Sequence, residues 1–159
     1  MKDDQVSQGG EPASPRHRIL VVDDDNDIRR LNAEVLSQFG YHVDAAKDGS
    51  AAWDTLQFNK YDLLVTDNLM PNLSGIELLR KLHAARMGLP VIMATRTSPK
   101  TESSKDRWLQ PVALLRKPYT LVELVGTVQE VLRATVCARE QEAPPPTAQD
   151  QPPWAAWHL

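Results

Sequence analysis

The chain has 159 residues and a net charge of -3, which leaves room for one ordinary domain with two short tails. That charge gives no sign of the basic surface typical of nucleic-acid binding, and no apolar run is long enough to span a bilayer. A single cysteine, Cys137, excludes an intrachain disulfide and a cysteine-based metal site, and the first 18 residues lack the apolar stretch of a secretory signal. We therefore expect a cytoplasmic protein with no membrane contact and no direct contact with nucleic acid.

The two ends of the chain have the composition of tails. Residues 1–17 are polar, contain two glycines and two prolines and show no periodicity, which predicts a disordered lead-in. Residues 139–159 are rich in proline, which indicates an extended linker that closes on Trp154 and Trp157. We expect this segment to bind a partner, but packing against the domain and the absence of any role fit the composition as well.

Between the tails, residues 18–138 alternate between two kinds of apolar pattern. Short runs rich in Val, Ile and Leu are typical of strands buried on both faces, and apolar residues three and four positions apart indicate helices. In chain order these patterns predict strands at 19–22, 41–45, 62–66, 91–94 and 112–115, and helices at 28–39, 52–56, 76–82 and 121–136. Residues 99–109, which follow the fourth strand and are rich in Ser, Thr and Lys, have the least apolar pattern of the five strand–helix units.

This alternation predicts an α/β fold with one doubly wound, five-stranded parallel sheet and helices on both faces. In such sheets, sites form beyond the carboxyl ends of the strands. Asp23 to Asp25 follow the first strand, Asp67 follows the third, Thr95 ends the fourth, and Lys117 comes just past the fifth. The fold therefore predicts that carboxylates, a hydroxyl and an ammonium group converge at one edge of the sheet.

The converging groups have the chemistry of phosphoryl transfer to a carboxylate. Carboxylates this close repel one another unless a cation joins them, and oxygen donors without sulfur or imidazole suit Mg²⁺. An aspartyl-phosphate intermediate would form at Asp67, with Thr95 donating to one phosphoryl oxygen and Lys117 neutralising another.

Taken alone, each of these residues also fits an ordinary structural role. Asp23 to Asp25 fit an N-cap and a favourable charge at the start of the first helix. Asp67 fits a loop residue, Thr95 a strand-end hydroxyl, and Lys117 before a proline a common surface pair. Their convergence on the strand ends is what favours the functional interpretation.

A set of short segments also occurs in a characteristic order and spacing. The segments are Ile19-Leu-Val-Val-Asp-Asp-Asp25, the turn Asp48-Gly49, Asp67-Asn-Leu-Met-Pro71 with Gly75, the strand-end Thr95, and Lys117-Pro-Tyr119. In this arrangement the sequence resembles the response regulator receiver family, the CheY-like group of two-component signalling proteins, over about residues 17–138. Each segment is weak by itself, whereas the ordered set is highly specific.

The resemblance implies a metal site with Mg²⁺ as its ion. Carried over by position, Asp24 is a direct ligand and Asp23 is a ligand or a water-mediated partner. The Leu69 backbone carbonyl occupies the position that completes the site, next to the carboxylate of Asp67.

The resemblance also implies a role for each phosphoryl-contacting group. Asp67 corresponds to the phosphoacceptor, Thr95 to the switch hydroxyl that moves toward the phosphoryl group, and Lys117 to the lysine that binds a phosphoryl oxygen. The implied donor is a histidine kinase or a phosphotransfer protein that carries phosphohistidine. Family members commonly place an aromatic residue three positions before the lysine, where this chain has Leu114, so we expect a less decisive switch.

Three interpretations from different functional classes remain to be compared. The first is a phosphorelay switch, not an enzyme, that signals by protein–protein contact, since 20 residues after Arg139 are too few for a DNA-binding domain. A receiver fragment of a hybrid histidine kinase fits the same residues. The second is a small phosphatase with Asp67 as nucleophile, although no insertion is long enough to cap a substrate. The third is a flavin-binding module, in which Asp23 to Asp25 would repel a phosphate.

Overall fold

The computed structural model describes residues 17–96 and 111–142. Within these ranges the chain alternates strands and helices, as the apolar patterns predict. The strands are β1 (Arg18–Val22), β2 (His42–Ala46), β3 (Leu63–Asp67), β4 (Val91–Thr95) and β5 (Ala113–Arg116), and the helices are α1 (Asn26–Gln38), α2 (Gly49–Phe58), α3 (Gly75–Ala84) and α4 (Leu121–Glu142). The predicted helix within residues 99–109 lies outside the described residues.

The strands form one parallel sheet in the order β2-β1-β3-β4-β5. The chain starts at β1, moves outward to β2 and then returns to β3 on the opposite side of β1. This reversal opens a crevice beyond the carboxyl ends of β1 and β3, which is where ligands bind in open α/β sheets. The predicted fold class, a doubly wound five-stranded parallel sheet, is confirmed.

Two apolar clusters cover the two faces of the sheet. Successive residues of a strand point to opposite faces, so Ile19 and Val21 join the cluster under α1 and α4, whereas Leu20 and Val22 join the one under α2 and α3. All four side chains are essentially inaccessible to solvent. The central strands are thereby held from both sides, which gives the polar residues at their ends a rigid support.

The last helix is longer than the sequence pattern indicated. α4 continues to Glu142, so the predicted boundary between domain and tail at residue 138 lies inside the helix. Residues 138–142 are good helix formers, and the first proline of the tail is Pro144, which disfavours helical backbone at the residue before it.

Among the described residues, neither α4 nor any other helix is long and apolar enough to cross a membrane.

Candidate functional site

The polar residues predicted to converge do meet beyond the carboxyl ends of the strands. Asp67 is the last residue of β3 and Thr95 the last of β4, and these strands pair directly. The Lys117 N–H donates to the Thr95 carbonyl oxygen at 2.9 Å, which brings the residue after β5 to the same edge. One pocket of about 380 Å³ is lined by all six predicted site residues, which are Asp23, Asp24, Asp67, Leu69, Thr95 and Lys117.

Three carboxyl groups and one ammonium group form the charged centre of this pocket. Carboxylate oxygens of Asp23, Asp24 and Asp67 all lie within 4.8 Å of one another. The Lys117 Nζ lies 3.3 Å from an oxygen of Asp67 and 3.6 Å from an oxygen of Asp23. The ammonium group therefore pairs with two of the three clustered carboxyl groups, and the cluster leaves room for a further cation.

Burial shifts the pKa values of two groups in this pocket, Asp23 and Lys117. The side chain of Asp23 is 3% exposed, and this burial raises its pKa, an effect to which the carboxylates of Asp67 and Asp24 add. The Asp25 N–H, 2.9 Å from Asp23 Oδ1, and the Lys117 ammonium act in the opposite direction. Burial by itself lowers the pKa of Lys117, but the two nearby carboxylates outweigh it and the net pKa is raised. Lys117 is accordingly held protonated beside Asp67.

The donor set fits a hard divalent cation. The clustered candidate ligands are carboxylate oxygens, Leu69 lines the same pocket, and neither sulfur nor imidazole lines it. Such donors suit Mg²⁺, which keeps several of its waters in protein sites, and the exposed side chain of Asp24 leaves the pocket open to solvent.

The three consecutive aspartates after β1 have different structural roles. Asp25 is the N-cap of α1, where its side chain accepts hydrogen bonds from the N–H groups of Asp27 and Ile28 at 2.9 and 3.2 Å. The capping interpretation is therefore right for Asp25, whereas Asp23 and Asp24 belong to the carboxylate cluster. A helix that begins this close to the cluster adds the positive end of its dipole to the pocket.

The loop between β3 and α3, residues 68–74, folds back against the end of β3. The Asn68 N–H donates to the Ala94 carbonyl at 3.2 Å and so extends the β3–β4 pairing by one bond. The Gly75 N–H donates to the Asn68 carbonyl at 2.9 Å, and a Cβ at Gly75 would lie 2.5 Å from the Asp67 carbonyl oxygen. Only glycine permits this close approach of α3 to the backbone of Asp67.

Sequence reasoning missed a hydrogen bond that ties the Lys117 loop to α1. The buried Asn32 donates through Nδ2 to the Tyr119 hydroxyl at 2.7 Å, and Tyr119 lies two residues after Lys117. The sequence does indicate that Asn32 is buried, because it lies between Ile28 and Leu36 on the apolar stripe of its helix. A polar residue on a buried stripe requires a partner, but the pattern alone does not name it.

A family model described as the response regulator receiver domain matches residues 19–129, which is more than half of the chain. The chain belongs to the response regulator receiver family. The resemblance seen in the sequence motifs is thereby confirmed. Receivers are domains of two-component response regulators, and membership of the family implies interaction with a histidine kinase or a phosphotransfer protein.

Two relatives show how the receiver compares with whole proteins. It is 34% identical over 122 residues to the response regulator receiver protein CpdR of Brucella abortus, covering 74% of this chain and 98% of CpdR. It is 36% identical over 118 residues to the response regulator MprA of a Mycobacterium species, covering 74% of this chain and 51% of MprA. The chain thus spans nearly all of one relative and about half of the other.

Among solved structures, the receiver is similar to the response regulator TrrA of Thermotoga maritima, which was crystallised in complex with Mg²⁺ and BeF. The two chains superpose with a TM-score of 0.64 and are 30% identical, covering 72% of this chain and 98% of TrrA.

Proposed function

We propose that this receiver accepts a phosphoryl group on Asp67 from the phosphohistidine of a histidine kinase or phosphotransfer protein, in a Mg²⁺-dependent reaction. The observation that carries the proposal is the pocket in which Asp67 lies against both Lys117 and the two other carboxylates. A carboxylate nucleophile needs nearby positive charge when it meets an anionic phosphoryl group, and this pocket supplies the Lys117 ammonium beside Asp67 and candidate ligands for a metal cation.

The residues that would hold the cation are the carboxylates of Asp23, Asp24 and Asp67 and the backbone carbonyl of Leu69. When bound, Mg²⁺ neutralises charge on the phosphoryl oxygens and on the carboxylates that surround them. The crystallisation of TrrA, a relative with the same fold, in complex with Mg²⁺ and BeF supports this interpretation.

In the transfer step, an oxygen of Asp67 forms the new bond to phosphorus as the bond to the donor histidine nitrogen breaks. The bonding pair leaves with that nitrogen, so no proton needs to be removed from Asp67. Lys117, already 3.3 Å from Asp67, binds a phosphoryl oxygen, and the hydroxyl of Thr95 on the neighbouring strand donates to another. Both groups stabilise charge that the attack places on the phosphoryl oxygens.

The phosphoryl group stays on the chain's own side chain, so the protein acts as a switch and not as an enzyme that turns over a separate substrate. We propose that its output is contact with another protein. Leu114, at the position where relatives commonly have an aromatic residue, is 49% exposed on the edge strand β5. Moving a half-exposed leucine inward buries less apolar area than moving an aromatic ring would. We therefore expect phosphorylation to drive the conformational change at this strand less completely than in relatives with an aromatic residue.

The chemistry is tested by incubating the protein with radiolabelled acetyl phosphate. We expect label to appear with Mg²⁺ and not with EDTA. It should be released by hydroxylamine, which cleaves an acyl phosphate but not phosphoserine, and by alkali, in which phosphohistidine is stable. Label that forms in EDTA, or that resists hydroxylamine, would refute an aspartyl phosphate formed at a metal site.

The metal site is tested by Asp24→Ala. Loss of one carboxylate should weaken Mg²⁺ binding roughly tenfold or more in a calorimetric titration. The same change removes repulsion with Asp23 and Asp67, so the free energy of unfolding in EDTA should rise by about 1 kcal/mol or less. Asp27→Ala, on an exposed aspartate in the first turn of α1, is the matched control and should bind Mg²⁺ like the wild type. Equal stabilisation of Asp24→Ala and wild type by Mg²⁺ would exclude Asp24 as a ligand.

A further inference from the structure

We propose that Asp48, at the start of α2, is a positioning residue for the cation site. Through Asn72 it holds the backbone of the loop 68–74, which includes Leu69, a residue that lines the acidic pocket and whose carbonyl is a proposed ligand. The inference rests on the proposed Mg²⁺-dependent function and adds a residue from outside the pocket, since Asp48 is not among its lining residues.

The two carboxylate oxygens of Asp48 accept hydrogen bonds from different parts of the chain. Oδ1 accepts from the Ala51 N–H at 2.8 Å, which is the ordinary N-cap bond of α2. Oδ2 accepts from Asn72 Nδ2 at 3.1 Å, and this bond reaches 24 residues along the chain into the β3–α3 loop. Asp48 is 6% exposed, so both bonds offset the cost of burying the carboxylate. Capping accounts for one oxygen and leaves the other for the loop.

Asn72 lies at the point where the loop reverses direction. Its φ is 69°, in the left-handed region that asparagine tolerates better than most residues other than glycine. Directly after it, the Leu73 N–H donates to the Pro71 carbonyl at 2.8 Å and closes a tight turn. The bond from Asn72 to Asp48 therefore secures the loop at its sharpest bend.

A second contact joins α2 to the same part of the loop. A Cβ built at Gly49 would lie 2.3 Å from the Leu73 carbonyl oxygen, so the first turn of α2 packs directly against the loop backbone. Adjacent residues at the start of α2, Asp48 and Gly49, thus contact adjacent residues of the loop, Asn72 and Leu73. The loop is held against a rigid helix rather than left to solvent.

The metal-lining part of the loop depends on this anchor. Its two ends are tied by Asn68, which bonds to β4 and α3, and by the capping box of Ser74 and Glu77. Between them, Met70 and Leu73 pack against the cluster under α2 and α3, whereas Leu69 is 72% exposed and its side chain adds little to that packing. Among the described residues, the side-chain hydrogen bond that reaches residues 69–73 from a different element is the one from Asn72 to Asp48. Removing it should release the carbonyl of Leu69 from its position.

The test is a double-mutant cycle on Mg²⁺ affinity, measured by titration calorimetry. Asn72→Gly deletes the amide but permits the left-handed backbone, and Asp48→Ser keeps a capping oxygen for the Ala51 N–H without the reach to Asn72. We expect each change to weaken Mg²⁺ binding roughly tenfold, which is typical for groups that orient metal ligands. The double variant should be no weaker than either single one, because both changes break the same bond.

Asp54→Ser is the matched control, since it removes an exposed carboxylate from the same helix and should leave Mg²⁺ affinity at the wild-type level. A merely structural role for Asp48 predicts lower melting temperatures with unchanged Mg²⁺ affinity, and that outcome would overturn the inference. Losses that add in the double variant would overturn it as well, because they would show two independent effects. A wild type that binds no Mg²⁺ refutes the proposed metal site and this inference together, whereas variants that match a Mg²⁺-binding wild type refute the inference alone.

Discussion

Asp67→Asn should fold normally and incorporate no phosphoryl group from acetyl phosphate or from a phosphorylated kinase. Asparagine has nearly the same shape as aspartate, but its amide oxygen is a poor nucleophile toward phosphorus. Asp67 ends a strand that is paired on both sides and buried along its length, so the sheet does not depend on its charge. We therefore expect complete loss of labelling with little change in the free energy of unfolding.

The measurement is incorporation of labelled phosphate in the presence of Mg²⁺, alongside thermal melting. Asp54→Asn, which makes the same chemical change at an exposed position on α2, should be labelled like the wild type. Labelling of Asp67→Asn to the wild-type extent would place the phosphoacceptor elsewhere. A variant that fails to fold would be recognised by its melt, and Asp67→Glu, which keeps the charge but displaces the nucleophile, would then replace it.

Gly75→Ala should destabilise this receiver and slow its phosphorylation, although it adds only one methyl group. The added Cβ would lie 2.5 Å from the Asp67 carbonyl oxygen and 3.0 Å from the Asn68 Cα, and backbone atoms in a paired strand cannot move aside cheaply. We expect the free energy of unfolding to fall by about 1–3 kcal/mol, as for other overpacked sites. Phosphorylation should slow in parallel, because the strain is relieved by displacing the backbone of Asp67.

Gly126→Ala is the matched control for that methyl group. Gly126 is exposed in the interior of α4, and a Cβ there would meet nothing within 4 Å. Alanine is the better helix former, so this variant should gain about 0.5–1 kcal/mol in chemical denaturation and keep the wild-type labelling rate. A Gly75→Ala protein as stable as the wild type would show that α3 can shift without cost, contrary to the close packing described.

The order of strands and helices in the described residues was determined by the sequence alone. Continuous apolar runs such as Ile19 to Val22 can be satisfied only where both faces of a strand are covered, and that requirement leads to a parallel sheet between helices. Parallel strands in turn bring their carboxyl ends to one edge, so Asp67 and Lys117 could be predicted to meet although 50 residues separate them. The end of α4 at Glu142 follows from Pro144 rather than from the apolar stripe, which ends at Val136.

The family resemblance assigned the metal roles to Asp23 and Asp24, but the physical reason why Asp25 differs from them is visible only in the tertiary structure. Asp23, Asp24 and Asp25 have the same side chain and consecutive positions, so no local rule separates them. The direction of each side chain depends on where α1 begins, and the helix begins so that Asp25 caps it while the other two lie near Asp67. Backbone geometry in the folded chain, and not residue type, divides the capping role from the candidate ligand role.

The bonds that hold the pocket in place likewise follow from the tertiary structure alone. Asn32 with Tyr119, and Asp48 with Asn72, are pairs separated by 87 and 24 residues, and neither member carries a local signal that names its partner. The pairs form because the sheet order brings α1 beside the loop after β5 and α2 beside the loop after β3. Sequence periodicity reports which side of an element is buried, whereas the identity of a hydrogen-bond partner depends on the three-dimensional packing of elements distant in the chain.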